Sequence, residues 1–365
     1  MSGRSGENQT GEVSRRQFLR TGVAAAAGAS SFFIGGQFSR VRAAKGEVVI
    51  CGWGGSLQEA ERKAFFQPFE QETGIKVVET SPTDYGKLKA MVLSGNVEWD
   101  LVDAGDRHLF AGIQEGLLEK LDYAAVNTKD FLPQAVNPYG LGIFYWSTNI
   151  GISTRGTKKR PKTWADFYNV KEFPGARAMR NTSFDNMEIA LLADGVPLDK
   201  IYPLTPDRID HAYRVLDRIK PHVTKWWKVE AQVIQMLTDG EVDFAVGPGG
   251  RMTVVKRQGA QVTFDYDQGI VHGDSWVIPR GAKNKKNAME FMAWYASNPK
   301  RHAEFSRHIP YGPLNTKAFD HMSDAEKAEL PTAPENLKRQ LLSDSEWWGK
   351  NLVKMEERWN AWLLR

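Results

Sequence analysis

Cysteine is almost absent: the 365-residue chain has one, Cys51. A single thiol closes no internal disulfide and cannot supply the several thiolates of an iron–sulfur cluster. Cys51 ends the apolar run Val48-Val49-Ile50-Cys51, outside any lipidation pattern, and reads as a small buried residue. Signatures of common catalytic chemistry are missing as well. There is no Gly-x-Ser-x-Gly elbow, no His-Glu-x-x-His and no phosphate loop, and Gly247-Pro248-Gly249-Gly250 lacks the lysine and spacing of one. The seven histidines are scattered, and His302 and His308, six apart, fall on different helix faces. No catalytic residue, cofactor or metal is therefore expected. An excess of positive charge is also lacking beyond the start of the chain. Residues 1–43 carry six basic and two acidic side chains, leaving 42 of each sign in the rest. That balance gives no electrostatic reason to bind nucleic acid or anionic lipid. No later segment approaches 18 consecutive apolar residues, so no second membrane span is expected.

What is present begins with Ser14-Arg15-Arg16-Gln17-Phe18-Leu19, followed by the weakly apolar stretch Thr21 to Gly36 and then Arg40 and Arg42. The paired arginine resembles a twin-arginine export signal, with cleavage expected after Val41-Arg42-Ala43. The alternative is a helix that stays attached to the membrane. Removal of the signal leaves about 320 residues in the periplasm, enough for two cores of ordinary size.

From residue 47 the pattern is βαβα, which implies an α/β fold with a mostly parallel sheet. Strands are expected at Val48–Cys51, Ile75–Glu79, Leu101–Ala104, Glu241–Val246 and Ser275–Ile278. Helices are expected at Gln58–Thr73 (interrupted near Pro68), Tyr85–Ser94, His108–Glu115, Pro206–Lys220, Glu230–Thr238 and Lys285–Ala296. Ligands in such folds sit in the crevice at the carboxyl ends of strands. The residues there are Trp53, Gly105–Arg107, Pro248–Arg251 and His272–Asp274.

Several segments resemble the polyamine-type (spermidine/putrescine) solute-binding proteins of ABC importers. They are Ile50-Cys-Gly-Trp53-Gly-Gly-Ser, Phe69-Glu-Gln-Glu-Thr-Gly-Ile-Lys-Val, Trp99-Asp-Leu-Val102 and Glu115-Gly-Leu-Leu-Glu-Lys-Leu-Asp122. Thr163-Trp-Ala-Asp-Phe, Asp239-Gly-Glu-Val-Asp243, Asp274-Ser-Trp-Val-Ile-Pro279 and Tyr311-Gly-Pro-Leu-Asn315 follow in the same order. The resemblance implies the type II periplasmic-binding-protein fold, two lobes with a hinge. Lobe I would be residues 45–150 plus 271–320, lobe II residues 151–270, and residues 321–365 a helical tail packing across both. It also implies a monomer that carries a small amine to an importer permease, with no bond-making step. By the same resemblance Trp53 and Tyr311 would be aromatic walls, Asp274 the ammonium-binding carboxylate, and Asp185 an acid from the second lobe.

Departures from that pattern bear on the ligand. Thr182 stands where a second acid is expected, and Pro248 and His272 stand where tryptophans are, while Gly105 and Arg107 replace a polar-aromatic pair. Arg107 and Arg251 bring guanidinium groups near the crevice, where they would repel a purely cationic guest and suit a carboxylate. They could equally face outward or pair with Asp106 and Asp103. Two ligand classes stay open at this point, a short di- or polyamine and a zwitterion such as an ω-amino acid. A periplasmic enzyme is the remaining alternative.

Overall fold

A computed structural model describes residues 46–156 and 159–365. The export signal expected over residues 1–43 lies outside the described residues. Twelve strands join in one sheet: β1 (Glu47–Cys51), β2 (Lys76–Thr80), β3 (Leu101–Gly105), β4 (Val136–Asn137), β5 (Gly140–Ser153), β6 (Arg177–Arg180), β7 (Val223–Trp227), β8 (Phe244–Pro248), β9 (Val262–Thr263), β10 (Ile270–Val277), β11 (Gly312–Pro313) and β12 (Leu341–Leu342). The main path runs β2-β1-β3-β10-β5-β8-β6-β7. Each end repeats one plan, three parallel strands in the order second, first, third, followed by an antiparallel neighbour. At one end these are β2-β1-β3 with β10, and at the other β7-β6-β8 with β5. The two antiparallel strands pair with each other from Gly140 to Thr148 and join the ends.

Local sequence explains most boundaries. Asp84 caps the helix Tyr85–Ser94 by accepting from the Lys87 N–H at 2.6 Å, and Gly95 ends it in the left-handed region. Thr205 caps Pro206–Ile219, whose stripe Ile209, Ala212, Tyr213, Leu216 and Ile219 is buried. The expected helix over 58–73 starts at Gly55 and passes through a π-helical turn, Arg62–Phe66, before Gly74 stops it. Apolar side chains gather in distinct buried clusters. Phe65, Phe66, Phe69, Trp276, Phe291 and Tyr295 lie at the β1–β3 end, and Trp164, Phe167, Met179 and Leu216 lie at the β6–β8 end.

The sequence pattern misplaced or missed part of the sheet. β6 and β7 were not among the expected strands: Arg-Ala-Met-Arg carries a charge at each end and Val-Thr-Lys-Trp-Trp has Lys225 at its centre. Arg177 is nonetheless 1% exposed, its guanidinium satisfied by the carbonyls of Phe167, Phe173 and Gly175. β10 starts at Ile270, five residues before the expected Ser275, because His272 and Asp274 interrupt an otherwise apolar strand.

The C-terminal helix Ser345–Leu363 touches both regions. Trp348 Nε1 donates to Glu188 at 2.5 Å, and Trp362 Nε1 to Asp217 at 2.7 Å. On its other side Gly349 meets the helix Asp106–Gln114, where a Cβ would lie 2.9 Å from the Arg107 carbonyl oxygen and closer still to Phe110. Gly349→Ala should therefore lower unfolding stability by about 1–3 kcal/mol, read from the midpoint of urea denaturation.

Candidate functional site

Strand ends from both regions of the sheet converge on a narrow cavity of about 10 Å³, room for about one water between its walls. Trp53 follows β1, Arg107 opens the helix after β3, and Asp274 lies within β10. Phe144 and Trp146 come from β5, Arg180 ends β6, Glu230 starts the helix after β7, and Tyr311 precedes β11. Tyr311 fits because Gly250 carries no side chain; a Cβ there would sit 2.6 Å from Tyr311 Cδ1.

Asp274 is 3% exposed and receives two indole N–H donors, Trp53 Nε1 at 2.8 Å and Trp146 Nε1 at 2.7 Å. Burial pushes its carboxyl upward, while Asp103, Trp146 and Arg107 hold it down. Trp53 also stacks on His108, 5.9 Å between ring centres, and His108 on Tyr85 at 5.3 Å. Arg180 pairs with Glu230 at 3.2 Å and lies 3.5 Å from Asp185, so its charge is answered by the wall. Arg107 is different. Its guanidinium lies 3.9 Å above the Phe184 ring and has no carboxylate at ion-pairing distance among the described residues. Burial and the nearby Arg180 lower it to about 10. Among the described residues the cavity thus keeps one cation with no carboxylate at ion-pair distance, Arg107, which Asp185 and Asp274 reach only at longer range, and one carboxylate held at ion-pair range by neutral donors, Asp274.

Of the seven residues expected from sequence, Trp53, Arg107, Asp274 and Tyr311 line this cavity. Arg251, Asp185 and His272 do not. Arg251, 1% exposed, stands behind Glu230 at 2.9 Å and donates to the Gly54 carbonyl, also at 2.9 Å. Asp185 and His272 pair with each other at 2.8 Å, with Thr148 Oγ1 donating to Asp185 and Arg180 3.5 Å away. Burial raises the Asp185 carboxyl, but His272 and Arg180 outweigh it and leave it below the usual carboxylate range. Neither outward exposure nor pairing with Asp103 or Asp106 accounts for the two arginines. Sequence reasoning did not name Phe144, Trp146, Arg180 and Glu230. The Phe-Tyr-Trp run at 144–146 was the available signal; Arg180 and Glu230 depended on β6 and β7. Among the described residues no cluster of His, Cys, Asp or Glu has metal-binding geometry.

Residues 64–335 match the model of the bacterial extracellular solute-binding proteins. The chain belongs to that family. This solute-binding protein is 34% identical over 322 residues to the gamma-aminobutyric acid-binding protein of Pseudomonas aeruginosa, covering 87% of this chain and 91% of the relative. It is 26% identical over 241 residues to the spermidine/putrescine-binding periplasmic protein of Escherichia coli, covering 62% and 67%. Among solved structures, an ABC transporter substrate-binding protein from Bradyrhizobium japonicum superposes with a TM-score of 0.79 at 36% identity, over 87% and 99% of the two chains. A GABA receptor superposes at 0.76 with 37% identity, over 87% and 97%. The fold is that of the periplasmic binding proteins, which take up a small solute and hand it to a membrane permease. The family is one of binding proteins, not enzymes, and is extracellular, which in these bacteria means the periplasm. No helix among the described residues is long and apolar enough to cross a membrane.

Replacing Asp185 by Asn removes a paired, fully buried charge, with an expected loss of about 3 kcal/mol at pH 7. Because the folded carboxyl is held low, its contribution is present above the unfolded value near ~3.9 and disappears as pH falls through the lower folded value. Denaturation curves of the two proteins should therefore begin to approach each other below about pH 4 and meet only below the folded value.

Proposed function

We propose that this protein captures a short ω-amino acid of the γ-aminobutyrate kind for an ABC importer. The ligand carboxylate pairs with Arg107 and its ammonium with Asp274. The observation that carries the reading is the leftover charge of the cavity: Arg180 is answered by Glu230 and Asp185, while Arg107 and Asp274 await opposite partners. A guanidinium suits a carboxylate in bidentate geometry, and aromatic faces suit an ammonium. Relatives named for γ-aminobutyrate support the same choice. A second reading, a short diamine, is favoured by the spermidine/putrescine relatives and by the aromatic setting of Asp274.

In this proposal the repeated halves of the sheet are two lobes, 45–150 with 271–320 and 151–270, which close about the β5–β10 junction. The tail 321–365 spans them, the protein acts as a monomer, and residues 1–43 direct twin-arginine export. Arg251, reaching from the helix after β8 to Gly54 after β1, would then fasten the closed form rather than touch the guest.

Titration calorimetry with γ-aminobutyrate and putrescine separates the two readings. Heat with the first and none with the second is expected; the reverse removes the ω-amino-acid reading. Arg107→Ala should weaken γ-aminobutyrate by about 30-fold or more, the cost of unpairing a buried charge. An unchanged affinity would place the carboxylate elsewhere.

A further inference from the structure

Behind Asp274 lie two carboxyls that the ligand reading does not use. Glu61, at the end of the helix Gly55–Glu61, and Asp103, in β3, are both 0% exposed. All four of their side-chain oxygens lack a hydrogen-bond donor among the described residues. In the antiparallel register Asp274 faces Gly105 and Trp276 faces Asp103, so Asp103 and Asp274 are diagonal neighbours on one side of the sheet. Asp103 is within hydrogen-bonding reach of both Glu61 and Asp274. Three adjoining buried carboxyls cannot all ionise, and unsatisfied carboxylate oxygens at this depth would cost several kcal/mol. Protons on two of them remove both difficulties, since each then becomes a donor to the next.

We propose that Glu61 and Asp103, outside the cavity lining, stay protonated behind Asp274 at neutral pH. The three carboxyls then present a single negative charge to the cavity, and the site takes guests bearing one ammonium group. The inference deepens the ω-amino-acid reading and rests on it for the ligand class. A diamine brings a second cation, which meets Arg107 and finds no second free carboxylate.

The surroundings agree. Burial is the main influence on both acids, raising Glu61 to about 8 and Asp103 well above the carboxylate range. Facing the chain are Glu79 of β2, Cys51 of β1, Arg251, Tyr295, and Asp106 and Arg107 beyond Asp274; Glu230 lies across the cavity. Arg251 favours ionisation of Glu61, but Glu79 and Asp274 oppose it. Asp106, which Ser275 Oγ–H holds at 2.7 Å, is itself raised to about 7.

Infrared spectra of the intact protein at pH 7 test this directly. A protonated-carboxyl band should be present, should shrink in Glu61→Gln and in Asp103→Asn, and its Glu61 part should fade as pH rises through about 8. Absence of any band that these variants remove overturns the proposal. Since an amide replaces a protonated acid with little change of shape, both variants should bind γ-aminobutyrate within about threefold of the parent and gain nothing for putrescine. A loss above about tenfold in a folded variant would mean the acid had been ionised, and overturns it equally. If the variants do not fold, the infrared titration of the parent decides alone. A parent that binds no γ-aminobutyrate defeats the ligand reading, and the same band still decides whether the acids carry protons.

Discussion

The site depends on a carboxylate held by two indoles. Asp274 sits inside a central strand, an expensive position for an acid, and is tolerated there because Trp53, just after β1, and Trp146, on β5, both reach it. Trp146 lies on β5, the strand that pairs with β10 and continues to β8. The bonds that stabilise the acid therefore tie the first strand end to the junction of the sheet. Removing either indole would loosen the cavity wall and leave a buried oxygen short of a donor.

The other charges around the cavity are arranged by subtraction. Glu230 lies between Arg180 and Arg251 and answers both, while Asp185 occupies His272 and approaches Arg180. These contacts fix the walls but offer little to a guest, because each charge already has an opposite neighbour within 3.5 Å. Arg107 is left resting on Phe184, which in turn packs edge-on against Trp348 of the C-terminal helix at 5.3 Å. The tail thus braces the ring on which the free cation lies.

Much of this was legible in the sequence where local chemistry and final environment agree. Thr163 and Thr205, hydroxyls standing just before helical runs, serve as caps. Trp53 and Asp274 were found by their place at strand ends. Legibility failed where tertiary partners overrode local pattern: Arg177 and Arg180 put a charge at each end of β6, and His272 and Asp274 hid the first half of β10. Arg251 was read as facing the ligand because it follows a strand, yet its partners, Glu230 and the Gly54 carbonyl, come from segments far away in sequence. Trp146 escaped notice because it sits in the middle of β5 rather than after a strand.

The indoles on Asp274 have an optical consequence. Both donate to the acid where an ammonium would arrive, so a cation placed there changes the electric field along two fluorescent rings at once. Trp53, in addition, lies in a column with His108 and Tyr85 that runs away from the cavity. On the proposed ligand reading, occupancy would alter the ultraviolet emission of two of the chain's 12 tryptophans without any attached dye.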